Sequence, residues 1–589
     1  MNTWFLKHPR LTMLAICLIL VSGLSSYVLL PRMEDPLLVE RAGFVNTVFP
    51  GADPSRVESL VTEKIEEELH EIDEIKELRS SSQEGFSAIS IELRDEVEDA
   101  DKVWSKLRDR LDDVASELPA GALKPEYQEL DFKAFALLVA VTWDVDTEPN
   151  YGILKRWGKQ LEERLRNVRG TEKVTTYGDP EEEIQVLIDS QQASALGLSA
   201  AEVSRQVRNS DSKIAAGLVR GQETDLLIEV SGEFKSVDRI EQVPIYFGDG
   251  GNFVRLGDIA DVTKAVETPQ INVAIVSGKP AITLGAYVRP NNQIDSWATE
   301  AKLAIEDFQT QLPSGLSAEV IFDQNRYVQT RLSTLVFNLL IGGTAVFVVI
   351  LVLMGWRNAV VVSLALPLAS LMVLTSMRFQ GIPIHQMSIT GLIIALGLLI
   401  DNAIVVVDEV SSKLRMGLNA TAAVAKSVNH LFFPLLGSTL TTAFAFAPIA
   451  LMPGPAGEFV GSIAINVIVA IFSSFALAMT IVPAIAAVLN SHDSHSEDSH
   501  SENSTSWLRD GIYFPALADV YQQFLAFLMR KPLVGVGLGI LFPILGLIQA
   551  RHLEEQFFPP ADRDQLHIEI ELSPQASVTG TLNIAEEMR

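Results

Sequence analysis

The chain has 589 residues, of which 48% are hydrophobic, and a formal net charge of -28 at pH 7. This length exceeds a single domain, and the apolar content exceeds that of a wholly soluble protein. The acidic balance argues against nucleic-acid binding, which requires a basic surface, and against peripheral binding to anionic lipid. The single cysteine, Cys17, lies inside an apolar run and excludes a disulfide framework and a cysteine metal site.

The first predicted element is a membrane-spanning helix at residues 11–30, because about 20 apolar residues suffice to cross a bilayer. Lys7 and Arg10 precede this run, which predicts a cytoplasmic N-terminus. A cleaved signal peptide is the alternative, since small residues lie near the end of the run. The apolar core is long for a signal peptide and no A-x-A cleavage site is present, which favours an uncleaved span.

Residues 31–333 have the pattern of a large water-soluble region on the far side of the membrane. Asp53 followed by Pro54 predicts a helix start, and the alternation of Ile89, Ile91 and Leu93 with polar residues predicts a half-buried strand. The strand–helix–strand rhythm recurs, which predicts repeated α/β units of split-βαβ type with a strand-rich insertion between about 181 and 267. We interpret the many acidic residues as solvated helix faces and not as a cation site.

Six further apolar runs predict membrane helices, which gives seven spans in all. The runs lie at residues 334–355, 359–377, 388–408, 430–452, 461–489 and 533–550. If the spans alternate, the basic residues of the short connections lie on the side of the N-terminus, as the positive-inside rule requires: Arg357, Lys413, Arg415, Lys426, Arg530 and Lys531. The region 31–333 and the tail after residue 551 then share the opposite side.

The segment between the sixth and seventh runs is polar and rich in histidine at residues 492–506. A metal-binding function is one interpretation, but the spacing matches no defined site, which favours a disordered cytoplasmic linker. Residues 507–530 have the pattern of an interfacial amphipathic helix with Trp507 at the level of the lipid headgroups.

A short internal repeat supports this division of the chain. Lys7-His8-Pro9 before the first span is matched by Arg530-Lys531-Pro532 before the seventh, and each span is followed by an acidic, proline-containing stretch. Parallel repeats are a common architecture in transporters. The second repeat reaches Arg589 after one span and one strand.

The most informative residue is Asp401, which lies near the middle of the fourth apolar run with Asn402 beside it. A carboxylate at the centre of a membrane helix costs about 2.5–3.5 kcal/mol even on lenient scales. Such a group is most useful when it gains and loses a proton, so Asp401 indicates ion-coupled transport. The alternative is a buried aspartate that only forms hydrogen bonds with a neighbour. Asp408 and Glu409, near the end of the run, are interpreted as a solvated helix terminus.

The fifth run adds four hydroxyl groups in one short stretch: Ser438, Thr439, Thr441 and Thr442. Hydroxyls in membrane helices commonly donate hydrogen bonds to carbonyl groups of their own helix. The functional alternative is that they face Asp401 and form part of a hydrated proton path. The sequence leaves both interpretations open.

Several motifs resemble the resistance–nodulation–division (RND) exporters of the hydrophobe/amphiphile efflux branch, in the order in which that family has them. They are FPGADPSRVESLVTEKIEEEL (49–69), GLSAAEVSRQVRNSDSKIAAGLV (197–219), GLLIDNAIVVVDEV (397–410) and GSTLTTAFAFAPIALMPG (437–454). The resemblance implies an α-helical polytopic membrane protein of the inner membrane with a large periplasmic α/β region. It further implies a homotrimer that exports small amphiphilic substrates in exchange for protons, together with a periplasmic adaptor (membrane fusion) protein and an outer-membrane channel.

The resemblance also implies a division into domains. Residues 1–30 are the first span, 31–134 the first porter subdomain, 135–180 with 268–330 the second porter subdomain, and 181–267 the docking subdomain. Residues 331–490 hold spans two to six, 491–531 the linker and amphipathic helix, 532–551 the seventh span, and 552–589 the start of a third porter subdomain.

Two departures from the family pattern affect the expected mechanism. Typical members have two consecutive aspartates where this chain has Asp401 and Asn402, so the proton relay rests on one titrating carboxylate. Family members are also longer, and a lysine on their tenth span partners the carboxylates of the fourth. We therefore expect that this polypeptide alone does not form a working pump.

Two alternatives to drug export stay open. The first is a membrane-anchored periplasmic scaffold without transport, which applies if the gene ends at Arg589. The second is an RND transporter of metal, lipid or polypeptide cargo. We expect no enzymatic activity, cofactor or metal site, because the sequence contains no nucleophile elbow, phosphate loop or zinc constellation.

Overall fold

The computed structural model describes residues 3–130, 133–211, 213–220, 225–231, 234–248, 251–267, 270–491, 515–553, 565–572 and 576–588. The chain forms two compact units. The first unit comprises residues 1–134, 290–295 and 325–570, and the second comprises 135–289, 296–324 and 571–589. The predicted linker at 492–506 and the beginning of the predicted amphipathic helix lie outside the described residues.

The first unit begins with helices and a four-stranded antiparallel sheet. Its elements are α1 (Trp4–Lys7), α2 (Pro9–Leu29), β1 (Ala42–Val48), α3 (Pro54–Val57), a π-helical turn (Glu58–Thr62), α4 (Glu63–Leu69), β2 (Ile75–Gln83), β3 (Phe86–Leu93), α5 (Ala100–Ala115) and β4 (Glu126–Glu129). The strand order is β2-β3-β1-β4. This sheet packs its apolar face against the helical segment 54–69 and against α5.

Local sequence explains the elements of this sheet. The Asp53 side chain accepts a hydrogen bond from the backbone N–H of Arg56 at 3.1 Å, as the predicted helix cap requires. Ile89, Ile91 and Leu93 on β3 are fully buried, which confirms the predicted alternation. Each such aliphatic side chain contributes about 1.5–3 kcal/mol when it is removed from water, so the strand cannot slip its register by one residue without a large loss.

The second unit contains a five-stranded sheet and three two-stranded ribbons. Its elements are β5 (Leu137–Trp143), α6 (Tyr151–Asn167), β6 (Thr171–Tyr177), β7 (Glu182–Ile188), α7 (Ser190–Ala195), α8 (Ala200–Ser210), β8 (Lys213–Arg220), β9 (Asp225–Ser231), α9 (Val237–Glu241), β10 (Pro244–Phe247), β11 (Asn252–Arg255), α10 (Leu256–Ile259), β12 (Ala260–Val266), β13 (Ala274–Val276), β14 (Lys279–Val288), α11 (Ile294–Gln311) and β15 (Leu316–Asp323). The main sheet has the order β13-β14-β5-β15, and β6 pairs with β14. The ribbons pair β7 with β12, β8 with β9, and β10 with β11.

The remaining helices are mostly apolar. They are α12 (Gln324–Met354), α13 (Trp356–Gln380), α14 (Gln386–Arg415), α15 (Ala420–Ala450), α16 (Gly454–Met479), α17 (Ile481–Ser491), α18 (Pro515–Arg530), α19 (Pro532–Ala550) and α20 (Val578–Met588). Within the described residues, seven helices are long and apolar enough to span a membrane: α2, α12 to α16, and α19. The chain is therefore a polytopic α-helical membrane protein with α/β regions, as predicted.

The helices differ from the predicted runs at their ends. The fourth run, predicted at 388–408, belongs to α14, which is 30 residues long and measures about 45 Å. The sixth run, predicted at 461–489 as one span, is divided between α16 and α17 at Thr480. Pro483 lies at the third position of α17, where its ring would clash with a carbonyl of a continuous helix and its missing N–H removes a hydrogen bond.

Candidate functional site

The helix α14 carries Asp401 and Asn402, and its first turn is fixed by a reciprocal cap. His385 accepts a hydrogen bond from the Ser388 backbone N–H on Nδ1 at 3.4 Å, and the Ser388 hydroxyl oxygen accepts one from the His385 backbone N–H at 2.9 Å. Burial lowers the pKa of His385 to about 4. The imidazole is therefore neutral at physiological pH, which leaves Nδ1 free to act as the acceptor that the cap requires.

One face of α14 packs closely against α16. A Cβ atom added to Gly391 would lie 2.8 Å from the Ile463 carbonyl oxygen, so only glycine permits this approach of the two backbones. The Asn466 side-chain amide donates to the Ser388 carbonyl oxygen at 3.0 Å. Since polar side chains that bond across helices stabilise membrane packing, the two helices form one tightly joined pair.

Asn402 belongs to this packed face. Its side chain is 8% exposed, and its amide nitrogen lies 3.5 Å from the Ser474 hydroxyl oxygen on α16. The Ser474 hydroxyl in turn donates to the Leu399 carbonyl oxygen at 2.5 Å. Asn402 is thus a helix–helix contact, which an amide can make without titrating.

Asp401 lies on the other side of the helix. It is exposed, and it belongs to a stripe of exposed residues at three- and four-residue spacing: Ile394, Gly397, Asp401, Val405 and Asp408. Within the described part of the chain, the Asp401 carboxylate makes no ion pair. Asp401 is 15 residues after Gln386 and 14 before Arg415, which places it about 21–23 Å from each end of α14.

The four hydroxyls of the fifth span lie on α15 and differ in their surroundings. Thr439 is 3% exposed, whereas Ser438 and Thr441 are exposed and Thr442 is half-buried. The hydroxyls of Thr441 and Thr442 donate to the carbonyl oxygens of Gly437 at 2.8 Å and Ser438 at 3.0 Å. Among the described residues, none of the four is hydrogen-bonded to Asp401.

The last turns of α14 carry a second polar group. The Ser411 hydroxyl and the Asn490 amide both donate to the Asn358 side-chain oxygen, each at 3.0 Å, and so join α14, α17 and α13. Glu409 lies 3.3 Å from Lys413 Nζ and 3.3 Å from His430 Nδ1. The end of α14 is therefore held by polar contacts, as expected of a helix end near water.

Sequence reasoning did not identify Ser474, Asn466 or the group of Asn358, Ser411 and Asn490. Each is a polar residue inside or beside an apolar run, and this is the signal that singled out Asp401. Amides and hydroxyls give a weaker signal than a carboxylate, because burying them costs less when they find one partner.

The arrangement defines what the site can do chemically. One face of α14 is fixed to α16, and the opposite face presents a carboxylate at the middle of an apolar helix. The small Gly397, whose added Cβ would meet nothing within 4 Å, lies one turn before Asp401. The space beside Gly397, one turn from the carboxylate, is therefore open.

This fold, with seven apolar helices and α/β regions among the described residues, is consistent with the RND class. The chain belongs to the AcrB/AcrD/AcrF family, which it matches over residues 1–589. It is 24% identical over 490 residues to the multidrug resistance protein MdtC of Serratia proteamaculans, with 83% of this chain and 47% of the relative covered. It is 24% identical over 489 residues to an uncharacterized transporter of Haemophilus influenzae, with 82% and 47% covered.

A third relative is the multidrug resistance protein MdtC of Yersinia pseudotuberculosis, which is 24% identical over 491 residues and is covered to 48% of its length. The chain thus spans about half of the length of the curated relatives that it matches. The family is one of transporters.

Proposed function

We propose that this chain works in an inner-membrane permease that exports drugs or other amphiphilic compounds by proton antiport. Asp401 is the observation that carries the proposal, since it is an exposed carboxylate at the middle of an apolar helix that is long enough to span a membrane. Two of the relatives are named multidrug resistance proteins, which supports export of such compounds.

Asp401 acts as the proton carrier of the cycle. Its charge at the centre of a membrane helix costs about 2.5–3.5 kcal/mol, and one elementary charge moving across 100 mV supplies about 2.3 kcal/mol. These two energies are similar in size, so membrane potential and protonation can together shift α14 between two positions. Asn402 does not titrate, and its contact with Ser474 keeps α14 joined to α16 in either state.

The hydroxyls of Ser438, Thr439, Thr441 and Thr442 form part of the proposed proton path. Thr441 and Thr442 already donate to their own helix. A threonine hydroxyl that donates to a carbonyl still has lone pairs that can accept from water. These groups can therefore order a water chain without exchanging their own hydrogen bonds.

The topology that we propose places the N-terminus in the cytoplasm and residues 31–333 in the periplasm. The basic residues of the short connections support this orientation. Residues 31–134 are the first porter subdomain, 135–180 with 268–330 the second, and 181–267 the docking subdomain. The assembly is a homotrimer, which a periplasmic adaptor protein links to an outer-membrane channel.

A charge substitution tests this function. In the complete gene that encodes this chain, Asp401→Asn is expected to abolish resistance to exported compounds while membrane abundance and assembly stay normal. Asp408→Asn is the matched control, because it changes the same residue type on the same stripe near the end of the helix, where water is accessible. Full resistance in the Asp401→Asn variant at normal abundance would refute proton coupling through this residue, and the scaffold interpretation would replace it.

A further inference from the structure

An ion pair between a buried guanidinium and a half-buried carboxylate joins the first sheet to the membrane helix α16. The Glu458 Oε1 atom accepts from Arg41 Nη2 at 2.5 Å, and its Oε2 atom accepts from the Val39 backbone N–H at 2.8 Å. The Arg41 side chain is 6% exposed and that of Glu458 is 24% exposed. Arg41 directly precedes β1, one of the two interior strands of the sheet.

The local sequence fixes the position of Glu458. Gly454 begins α16 with φ +77°, a backbone conformation that favours glycine. A Cβ atom added to Gly457 would lie 1.7 Å from the Met452 carbonyl oxygen, so the turn before the helix also requires glycine there. Glu458 is the fifth residue of α16, near the positive end of the helix dipole, which favours a carboxylate. The motif Gly-Pro-Ala-Gly-Glu therefore places one anion at a defined point.

The sheet side of the contact is equally constrained. Besides Glu458, Arg41 donates from Nε to the Val97 carbonyl oxygen at 2.9 Å, in the loop that follows β3. Asp95 in the same loop lies against the beginning of α16, since a Cβ on Gly454 would be 3.0 Å from its Cγ atom. Arg41 thus holds a loop of the sheet and a membrane helix with one guanidinium group, whose fork geometry suits two acceptors.

The later turns of α16 contact α14, the helix that carries Asp401. Gly391 and the pair Asn466–Ser388 join α16 to the first half of α14. Asn402 and Ser474 join the two helices again at the level of Asp401, which is the residue next to Asn402. A movement of α14 that follows protonation of Asp401 is therefore shared by α16, because tightly packed elements move as units.

We propose that Glu458 and Arg41 are a positioning pair that transmits this movement from α16 to β1, and so couples the charge of Asp401 to the first α/β sheet. This inference rests on the proposed function. The pair differs from the exposed ion pairs of the same sheet, such as that of Glu77 with Arg79, whose side chains are 44% and 75% exposed. Exposed pairs contribute little to stability because water and salt screen them. The pair of Arg41 and Glu458 is more protected from water and has two further backbone contacts, which fix its geometry.

The experiment compares three variants of the full-length transporter reconstituted in proteoliposomes. Glu458→Gln removes the charge. Glu458→Asp keeps the charge and is chosen to keep the fold. The aspartate side chain is one methylene too short to reach both Val39 and Arg41. Glu77→Gln is the matched control. Two rates are measured for each variant and divided by the amount of folded protein: substrate efflux and substrate-dependent proton uptake. The pH dependence of Asp401 labelling by dicyclohexylcarbodiimide, which attacks protonated carboxyls in apolar surroundings, is measured on the same samples.

We expect both Glu458 variants to lose efflux by about 2- to 30-fold per folded protein, the range of coupling effects produced by residues remote from a site. The labelling profile of Asp401 is expected to stay that of the wild type, and Glu77→Gln is expected to behave as the wild type in every readout. Unchanged efflux in both variants would overturn the inference. So would a loss that only follows the amount of folded protein, or a shifted labelling profile, since the pair would then support folding or the proton site itself.

Asp401→Asn, run in the same series, separates this inference from the proposed function. If Asp401→Asn keeps normal efflux, the proposed function itself fails. If Asp401→Asn abolishes efflux and the Glu458 variants retain it, the proton site stands and the coupling inference alone is wrong.

Discussion

The close packing of α14 on α16 leads to a quantitative prediction for Gly391. A methyl group at this position would lie 2.8 Å from the Ile463 carbonyl oxygen and 2.9 Å from its Cα atom, where ordinary contacts begin at 3.4 Å. The overlap with the oxygen is therefore 3.4 − 2.8 = 0.6 Å. Both nearest atoms belong to the backbone, so Gly391→Ala must move the helices apart and weaken the bond from Asn466 to Ser388.

Gly397 provides the matched substitution in the same helix. A Cβ there would meet no atom within 4 Å among the described residues. Gly→Ala gains up to about 1 kcal/mol of helix propensity at either position, so this gain cancels when the two variants are compared. Overpacking typically costs about 1–3 kcal/mol. We expect the free energy of unfolding of Gly391→Ala to be lower than that of Gly397→Ala by this amount.

The assay is unfolding of the purified full-length protein in mixed micelles titrated with sodium dodecyl sulfate and followed by tryptophan fluorescence. Ser474→Ala is measured beside these two variants. It removes the hydroxyl that Asn402 contacts and leaves the approach of the two backbones at Gly391 unchanged. Equal unfolding free energies for Gly391→Ala and Gly397→Ala would refute the claim that α14 and α16 are joined through Gly391.

Three further predictions concern single residues. Asp53→Ala removes the cap that accepts from Arg56 and is expected to lower the free energy of unfolding by about 0.5–2 kcal/mol. Asp53→Asn keeps a capping oxygen and is expected to stay close to the wild type, so equal losses in both variants would contradict the capping role. Asn402→Asp replaces the amide donor near Ser474 with a second carboxylate. It is expected to reduce the free energy of unfolding and the rate of efflux together at neutral pH. Normal values of both would show that this contact does not hold α14 against α16. Burial lowers the pKa of His385 to about 4 from an unfolded value near 6.5, so the unfolded chain binds this proton first as the pH falls. The contribution of His385 to the free energy of unfolding is therefore complete above about pH 6.5 and falls toward pH 4 by at most about 3 kcal/mol. His385→Asn is expected to flatten this part of the pH–stability curve, and an unchanged curve would contradict the prediction.

The sequence predicted the elements whose signal is local. The seven apolar runs, the cap at Asp53 and the alternation of Ile89, Ile91 and Leu93 each depend on neighbouring residues, and each is present in the structure. The division of the sixth run at Thr480 is also a local effect, because Pro483 carries it. The apolar composition of residues 461–489 concealed this break.

The contacts that join elements could not be predicted from one sequence. Glu458 and Arg41 are 417 residues apart, and Asn402 and Ser474 are 72 apart. Side-chain periodicity states which residues share a face of a helix, but not which helix that face meets. The stripe of Ile394, Gly397, Asp401, Val405 and Asp408 follows from helical spacing, whereas its exposure depends on how α16 packs on the other face.

The central claim is that Asp401 carries the transported proton. The most direct test is proton uptake that depends on substrate, measured in proteoliposomes that contain the complete transporter, with Asp401→Asn compared with the wild type and with Asp408→Asn. The account predicts that Asp401→Asn abolishes substrate-dependent proton uptake and export together, while Asp408→Asn retains both. Export coupled to proton uptake in the Asp401→Asn variant, at normal abundance, would contradict it.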